Sequence, residues 1–329
     1  MNLMKKTKEY AKLSSAHFAM LTAMIPVAGA LVMGETNFYN LTIVFIIGLL
    51  AHIYGFAFNH YNDIKIDGST PKLKERPLPS GTITKKHALI YILFVLILGF
   101  ILTFYFFEIK VLMIYSAGII LATAYDLFSK KLGGIDFILA ASVAISAIFG
   151  SATVSFNFTN LAYIIWILSF IQTLNLNLIA GGIKDADHDF LMNSKHLSTR
   201  LGVKVDNGFL IVPTSFKIIA YLFAVFYVVF VFIPITKNWI DLHFLFIISL
   251  IIVNFLFFYI TYNMMKRQKF TRRRIRKYVL LQYNINWLNV PILIMAITPL
   301  AGVLVIFPFL GLIISNILIY KTIFRPKMM

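Results

Sequence analysis

Two short acidic stretches hold much of the reactive chemistry in this sequence. The first reads Asn59-His60-Tyr61-Asn62-Asp63-Ile64-Lys65-Ile66-Asp67, the second Asp185-Ala186-Asp187-His188-Asp189. The whole chain has only 13 acidic residues, so their clustering calls for a cause. Asn59, Asp63 and Asp67 are spaced i, i+4, i+8, which puts them on one face of any helix that continues through them. Asp185 and Asp189 are also i, i+4, with Asp187 turned elsewhere as a supporting group. Carboxylates at a bilayer edge are costly unless paired, solvated or bound to metal. Mg²⁺ takes hard oxygen ligands, usually one or two carboxylates together with substrate phosphates. Two Asp pairs with basic residues beside them therefore suggest a Mg²⁺-bridged diphosphate site. A solvated, helix-capping acidic loop explains one such pair equally well, but explains two on the same side of a membrane less well.

The first stretch runs on into Thr70-Pro71-Lys72-Leu73-Lys74-Glu75-Arg76-Pro77-Leu78-Pro79-Ser80-Gly81. Pro77 and Pro79 stiffen the chain and Gly81 lets it turn. A rigid turn that holds Arg76 near the carboxylates offers a two-pronged phosphate ligand. The simpler reading is a Pro-rich turn whose Arg only sets topology.

The elements that must position these groups are membrane helices. The 329 residues are 60% hydrophobic and only 13% charged, against about 25% charged in soluble domains. Apolar runs of the roughly 20 residues needed to cross a bilayer lie near 14–33, 39–58, 87–107, 110–128, 135–154, 161–182, 210–235, 242–264, 278–298 and 300–320. The expected fold is all-α: one polytopic domain over residues 1–329, a bundle of nine or ten transmembrane helices. Asn284, Asn286, Asn289 and Pro291 interrupt the ninth run. The basic start has no small-residue cleavage site after its apolar run and reads as a true first span. With no cysteine, disulfides and thiolate chemistry are excluded.

The net charge of +17 does not indicate nucleic acid. If the N-terminus is cytoplasmic and the spans alternate, every Lys and Arg except Lys110 and Lys237 falls inside. That is positive-inside topology, and it places both Asp-rich loops on the cytoplasmic side. The two loops follow the second and sixth spans, an offset that suggests a duplicated four-helix unit.

The stretch from Asn59 to Gly81 resembles the first signature of the UbiA superfamily of intramembrane prenyltransferases. That signature is N-D-x-x-D-x-x-x-D, followed by R-P-L-P-S-G. Asn59, Asp63, Asp67 and Arg76-Pro77-Leu78-Pro79-Ser80-Gly81 match it. Asp185-x-x-x-Asp189 resembles the second signature, with Lys195 and Gly202 placed as in the family. Tyr125, Lys130 and Lys131 resemble its Tyr/Lys element. The resemblance implies a helical bundle around a central cavity and a Mg²⁺ cofactor. It implies an isoprenyl diphosphate donor and a lipophilic or membrane-associated acceptor, an aromatic or quinone precursor or a glycerol-phosphate lipid. Asp63, Asp67, Asp185 and Asp189 would be catalytic and, with Asn59, would hold the metal. Arg76, Lys72, Tyr125, Lys130, Lys195, Asn59 and His60 would bind substrate, and membrane lipids would surround the whole.

The chain departs from the family at His60, where the signature has Asp. His60 sits one position off the Asn59/Asp63/Asp67 face, and imidazole prefers softer metals, so a role toward the acceptor is expected. The first span lacks the family's Arg, leaving Lys12 or His17 in its place. Other readings are a branch that transfers phosphoribose to a polyprenyl phosphate, a non-catalytic lipid-binding relative, and a transporter. Carrier sites lie near the bilayer midplane, whereas these acids lie at one edge.

Overall fold

The computed structural model describes residues 3–69, 73–129, 131–187 and 196–321. The protein is 77% helical. In chain order the helices are α1 Leu3–Leu13, α2 Ala16–Leu31, α3 Phe38–Asn62, α4 Ile64–Ser69, α5 Lys85–Phe106, α6 Ile109–Phe128 and α7 Asp136–Ala152. Next come α8 Asn160–Leu174, α9 Gly182–Lys184, α10 Leu197–Arg200, α11 Thr214–Thr236, α12 Phe244–Met265, α13 Arg272–Trp287, α14 Asn289–Ile294 and α15 Val303–Ser315. Seven helical segments are long and apolar enough to cross a membrane: Phe38–Asn62, Lys85–Phe106, Ile109–Phe128, Asn160–Lys184, Thr214–Thr236, Phe244–Met265 and Pro299–Ile319. The protein is an integral membrane protein.

The chain packs as two compact units, Met1–Leu127 with Ile145–Phe156 and Gly302–Met329, and Phe128–Ala144 with Asn157–Ala301. In the first unit α1 and α2 meet at a 54° bend. Ser15 sits there with φ 46°, the left-handed region that ends a helix. The bend frees carbonyls at the end of α1, and two α3 histidines take them. His52 Nε2 donates to the Ser14 carbonyl at 2.9 Å and His60 Nδ1 to the Leu13 carbonyl at 2.8 Å.

Small residues let α2 and the C-terminal half of α7 approach backbone to backbone, as helices in lipid do when apolar burial cannot drive them together. Ser151 Oγ donates to the Gly29 carbonyl at 2.9 Å. A Cβ on Gly150 would collide with the Pro26 carbonyl, and one on Gly29 with the Ala147 carbonyl. The obstacle is backbone in both cases, so it cannot swing aside. Gly150→Val is expected to lose its monodisperse gel-filtration peak in detergent. A Gly150→Val protein that melts like the parent would show that this contact is loose.

In the second unit α8 passes through a π-helical turn, Asn175–Gly181, into α9. A small antiparallel sheet follows: β1 Lys204–Asp206, β2 Phe209–Ile211 and β3 Gln268–Lys269, in the order β1-β2-β3. Its hairpin turns at Asn207-Gly208, both with positive φ (47° and 78°), the pairing a two-residue turn favours. The hairpin seals the end of the unit. Leu210 packs with Ile183, Ala186, Phe216, Met264 and Ile275 in one buried cluster.

The expected ninth span over 278–298 is not one helix. It divides at Leu288 into α13 and α14. The Asn289 amide and the Asn286 backbone carbonyl meet the polar gap that the break opens. Asn254 Nδ2 donates to Asn289 Oδ1 at 2.8 Å, and the Asn286 carbonyl accepts from Tyr227 Oη at 3.0 Å and Asn289 Nδ2 at 3.1 Å. The Asn254–Asn289 pair is therefore structural.

Candidate functional site

The first acidic stretch is built by a helix that outruns the membrane. At about 1.5 Å per residue, the 25 residues of α3 span about 37 Å, more than the roughly 30 Å hydrocarbon core. Asn37 caps its start by accepting from the Tyr39 N–H at 2.9 Å. Asp63 caps its end, and the backbone ladder continues across the junction with α4: Asp63 N donates to the Asn59 carbonyl at 3.0 Å, and Asp67 N to the Asp63 carbonyl at 2.8 Å. Asp63 itself is outside the helical region, with ψ 2°, so the chain turns there from α3 into α4.

Asp67 is not a surface acid, contrary to its expected place at the edge. It is 3% exposed and takes Arg76 Nη1 on Oδ2 at 2.7 Å. Arg76 is delivered by a compact turn. Ser80 N donates to the Arg76 carbonyl at 3.0 Å, Gly81 N to Leu78 at 3.1 Å, and Ile83 N to Pro77 at 3.0 Å. Gly81 takes φ +73°, as its place in the turn requires. Pro77, Leu78 and Ile83 are buried beneath it.

Asn59 turns toward the last turn of α6, where its Nδ2 donates to Asp126 Oδ1 at 3.0 Å. Asp126 is buried, lies within electrostatic reach of Asp63, and its Oδ2 has no hydrogen-bond partner. Tyr125, half-buried, is its neighbour in the same turn. His60 is committed to the Leu13 carbonyl. Of the two residues expected to replace the missing first-span Arg, Lys12 pairs with Glu9 at 2.6 Å, while buried His17 lies within electrostatic reach of His60 and Arg76.

The second stretch begins where α9 ends. Asp185 is its cap, and the buried Ile183 and Ala186 on either side anchor it to the core cluster. Arg272, in the first turn of α13, reaches Asp187 Oδ1 at 2.7 Å and Asp185 Oδ1 at 3.7 Å. Lys184 Nζ lies 3.4 Å from Asp185 Oδ2. Eight residues before Asp185, Asn177 Nδ2 donates to Asp136 Oδ1 at 2.6 Å. Asn59 makes the same kind of bond, to Asp126. Asp189, Lys195, Lys130 and Lys72 lie outside the described residues.

Sequence reasoning missed three of these groups. Asp126 closes an apolar run, and a carboxylate in that setting is a signal in itself. Asp136 opens the next helix in the same way. Arg272 was hidden among the eight basic residues from Lys266 to Lys277, which read as topology.

The donor set suits a hard cation. In the first unit Asn59, Asp63, Asp67 and the partnerless Asp126 oxygen are all oxygen donors, and in the second unit Asp185 is another. Among the described residues no group of three or more His, Cys, Asp or Glu side chains is placed to hold a metal ion on its own. Mg²⁺ is commonly held that way, by few carboxylates with substrate phosphates completing the shell.

The family model for the UbiA prenyltransferase family matches residues 21–285, which include both acidic stretches and the Arg76 turn. The chain belongs to the UbiA prenyltransferase family. A 4-hydroxybenzoate octaprenyltransferase of Marinomonas sp. (strain MWYL1) is 33% identical over 133 residues, 39% of this chain and 46% of that one. One of Vibrio campbellii is 31% identical over 159 residues, 47% of this chain and 54% of that one. The chain thus spans about half the length of these relatives. Among solved structures, an apo UbiA homolog from Aeropyrum pernix K1 superposes with TM-score 0.67 at 12% identity, covering 84% of this chain and 97% of that one. A study of digeranylgeranylglyceryl phosphate synthase provides a match at TM-score 0.65 and 22% identity, over 89% and 99%. An Archaeoglobus fulgidus UbiA homolog bound to GPP and Mg²⁺ matches at TM-score 0.58 and 13% identity, over 86% and 99%. These likenesses are of fold.

The family signature has Asp at position 60, and this chain has a histidine bonded away from the acidic face. His60→Ala is expected to bind Mg²⁺ and diphosphate like the parent. It should lose about 1–3 kcal/mol of stability, the cost of leaving the Leu13 carbonyl buried and unmet. Thermal melting alongside Mg²⁺–diphosphate titration checks both. Loss of diphosphate binding in a well-folded His60→Ala protein would return His60 to the donor site.

Proposed function

We propose that the protein is a Mg²⁺-dependent integral-membrane prenyltransferase that moves an isoprenyl group from an isoprenyl diphosphate to a lipophilic acceptor. The observation that carries this reading is the Arg76 turn locked onto Asp67 beside the Asn59–Asp63–Asp67 ladder. It presents a guanidinium and carboxylates side by side, the two groups that a metal-complexed diphosphate needs.

In this reading Asn59, Asp63, Asp67, Asp185 and Asp189 hold Mg²⁺, which when bound neutralises charge on the departing diphosphate. Arg76 binds a phosphate oxygen through its fork. Asp67 holds the guanidinium in place, so little rotamer freedom is lost when the donor arrives. Tyr125, Lys130, Lys195 and Lys72 contribute to substrate binding, and Arg272 steadies Asp185. The C1–O bond of the donor breaks with its electron pair leaving on diphosphate. The allylic cation is then captured by an acceptor atom, which releases a proton. Apolar helix walls keep water from the cation.

The spans belong to the same reading. Counting the bent α1–α2 pair and the shorter apolar α7 with the seven long segments gives nine, and the broken α13–α14 gives a tenth. They would form one prenyltransferase domain around a cavity, with the N-terminus and both acidic stretches cytoplasmic, as the distribution of Lys and Arg supports.

An aromatic acceptor is favoured, because the matched halves of the relatives belong to enzymes named for 4-hydroxybenzoate. A glycerol-phosphate lipid is the second reading, motivated by the fold match to the synthase study. Membranes with and without the protein, fed a labelled isoprenyl diphosphate, distinguish them by mass spectrometry. Label in a prenylated aromatic acid supports the first and label in a glycerol-phosphate ether the second. Label confined to unreacted donor overturns both.

A further inference from the structure

Asp126 has no part in either family signature, yet it is a buried carboxylate of the first unit. It lies in the last turn of α6 and is 9% exposed. One oxygen, Oδ1, accepts from Asn59 Nδ2 at 3.0 Å. The other, Oδ2, is buried with no hydrogen-bond partner. Asp63 is within electrostatic reach. Among the described residues no cation lies against Asp126, so two acids approach one another in a poorly solvated place.

Such a group stays in a fold when something absent from the protein chain completes it. Burying an unpaired carboxylate disfavours the folded state unless a counter-charge arrives. The Asn59 contact adds a geometric constraint. An amide presents a nitrogen on one side and an oxygen on the other. Because Asp126 takes the nitrogen, the Asn59 amide oxygen is left to accept from, or bind, another group.

We propose that Asp126 is a further oxygen ligand of the divalent cation, with Oδ2 binding the metal while Oδ1 fixes the Asn59 amide so that its oxygen binds too. This rests on the donor-site reading above and extends it to a residue on a different helix. Mg²⁺ prefers six oxygens in near-octahedral order, and α6 would supply one that the acidic stretches do not.

The test is Mn²⁺ binding to the full chain in detergent with inorganic diphosphate, read by loss of the free-ion EPR signal. Asp126→Asn keeps the shape and an acceptor for Asn59 but removes the charge. It should weaken Mn²⁺ binding by about 10–100-fold, the usual effect of removing a group that supports a metal site. Asp126→Glu should retain more affinity than Asp126→Asn. Asp63→Asn is the control for the site itself. If Asp63→Asn loses Mn²⁺ and Asp126→Asn does not, Asp126 is structural and the proposal is overturned. If neither variant loses Mn²⁺, the donor-site reading fails as well.

A second measurement needs no variant. Fe²⁺ placed in the wild-type site with ascorbate and peroxide cuts backbone close to the metal. Cuts near residue 126 as well as near 59–67 support the proposal. Cuts near 59–67 alone contradict it, and cuts at neither contradict the site.

Discussion

Asp63→Asn protein should fold, insert and melt like the parent, yet transfer no measurable isoprenyl group. Asp63 is the cap between α3 and α4, half-buried, and its backbone bonds to Asn59 and Asp67 do not need its charge. The substitution therefore spares the fold and removes a metal ligand. Removing one preorganised stabiliser of developing charge typically costs about 10²–10³ in rate, and loss of a ligand that brings in the cation should cost at least that. Asp185→Asn should behave alike, because Arg272 keeps Asp187 as its closer partner. Purified variants assayed for diphosphate release, with melting curves as the folding control, check this. Full activity in Asp63→Asn would remove the first acidic stretch from the mechanism.

Arg76 should show a different pattern, because it serves both stability and binding. Arg76→Ala leaves Asp67 buried and unpaired, and breaking a buried pair by removing one partner costs about 3–5 kcal/mol. Donor binding should be lost as well. Arg76→Lys restores a charge but not the fork, so it should recover part of the stability and little of the donor affinity. The double variant Asp67→Asn/Arg76→Met tests the coupling. It should melt close to the parent, since no buried charge is left stranded, and remain inactive. If Arg76→Ala melts and binds donor like the parent, the pair is incidental and the Pro-rich turn has another purpose.

What could be read from the residues alone was periodicity and local chemistry. The spacing of Asn59, Asp63 and Asp67 suggested one helix through all three, but α3 ends at Asn62 and Asp67 lies on the separate α4, joined to it only by the bonds across Asp63. Pro77, Pro79 and Gly81 foretold a rigid turn presenting Arg76. Its partner could not be foretold, because whether Arg76 meets Asp67 depends on how the turn packs. Asp126 escaped for a similar reason: it is distant in sequence from Asn59 and meets it only through helix packing. The Asn207-Gly208 hairpin was legible, since Asn-Gly between Lys204-Val205-Asp206 and Phe209-Leu210-Ile211 is a strong two-residue turn signal. It was overlooked because the composition is so dominated by helix. The interrupted ninth span was seen as an irregularity. That Asn286 and Asn289 repair the break with Asn254 and Tyr227 required tertiary structure.

The most direct measurement is release of inorganic diphosphate from geranyl diphosphate by the purified full-length protein in detergent, with Mg²⁺ and with excess chelator. A UbiA prenyltransferase built around this site will release diphosphate with Mg²⁺, stop when the metal is chelated, and lose the reaction in Asp63→Asn. Release that persists in chelator, or no release in Mg²⁺ from protein that binds the donor, would contradict metal-assisted ionisation. The second outcome would identify a lipid-binding relative instead.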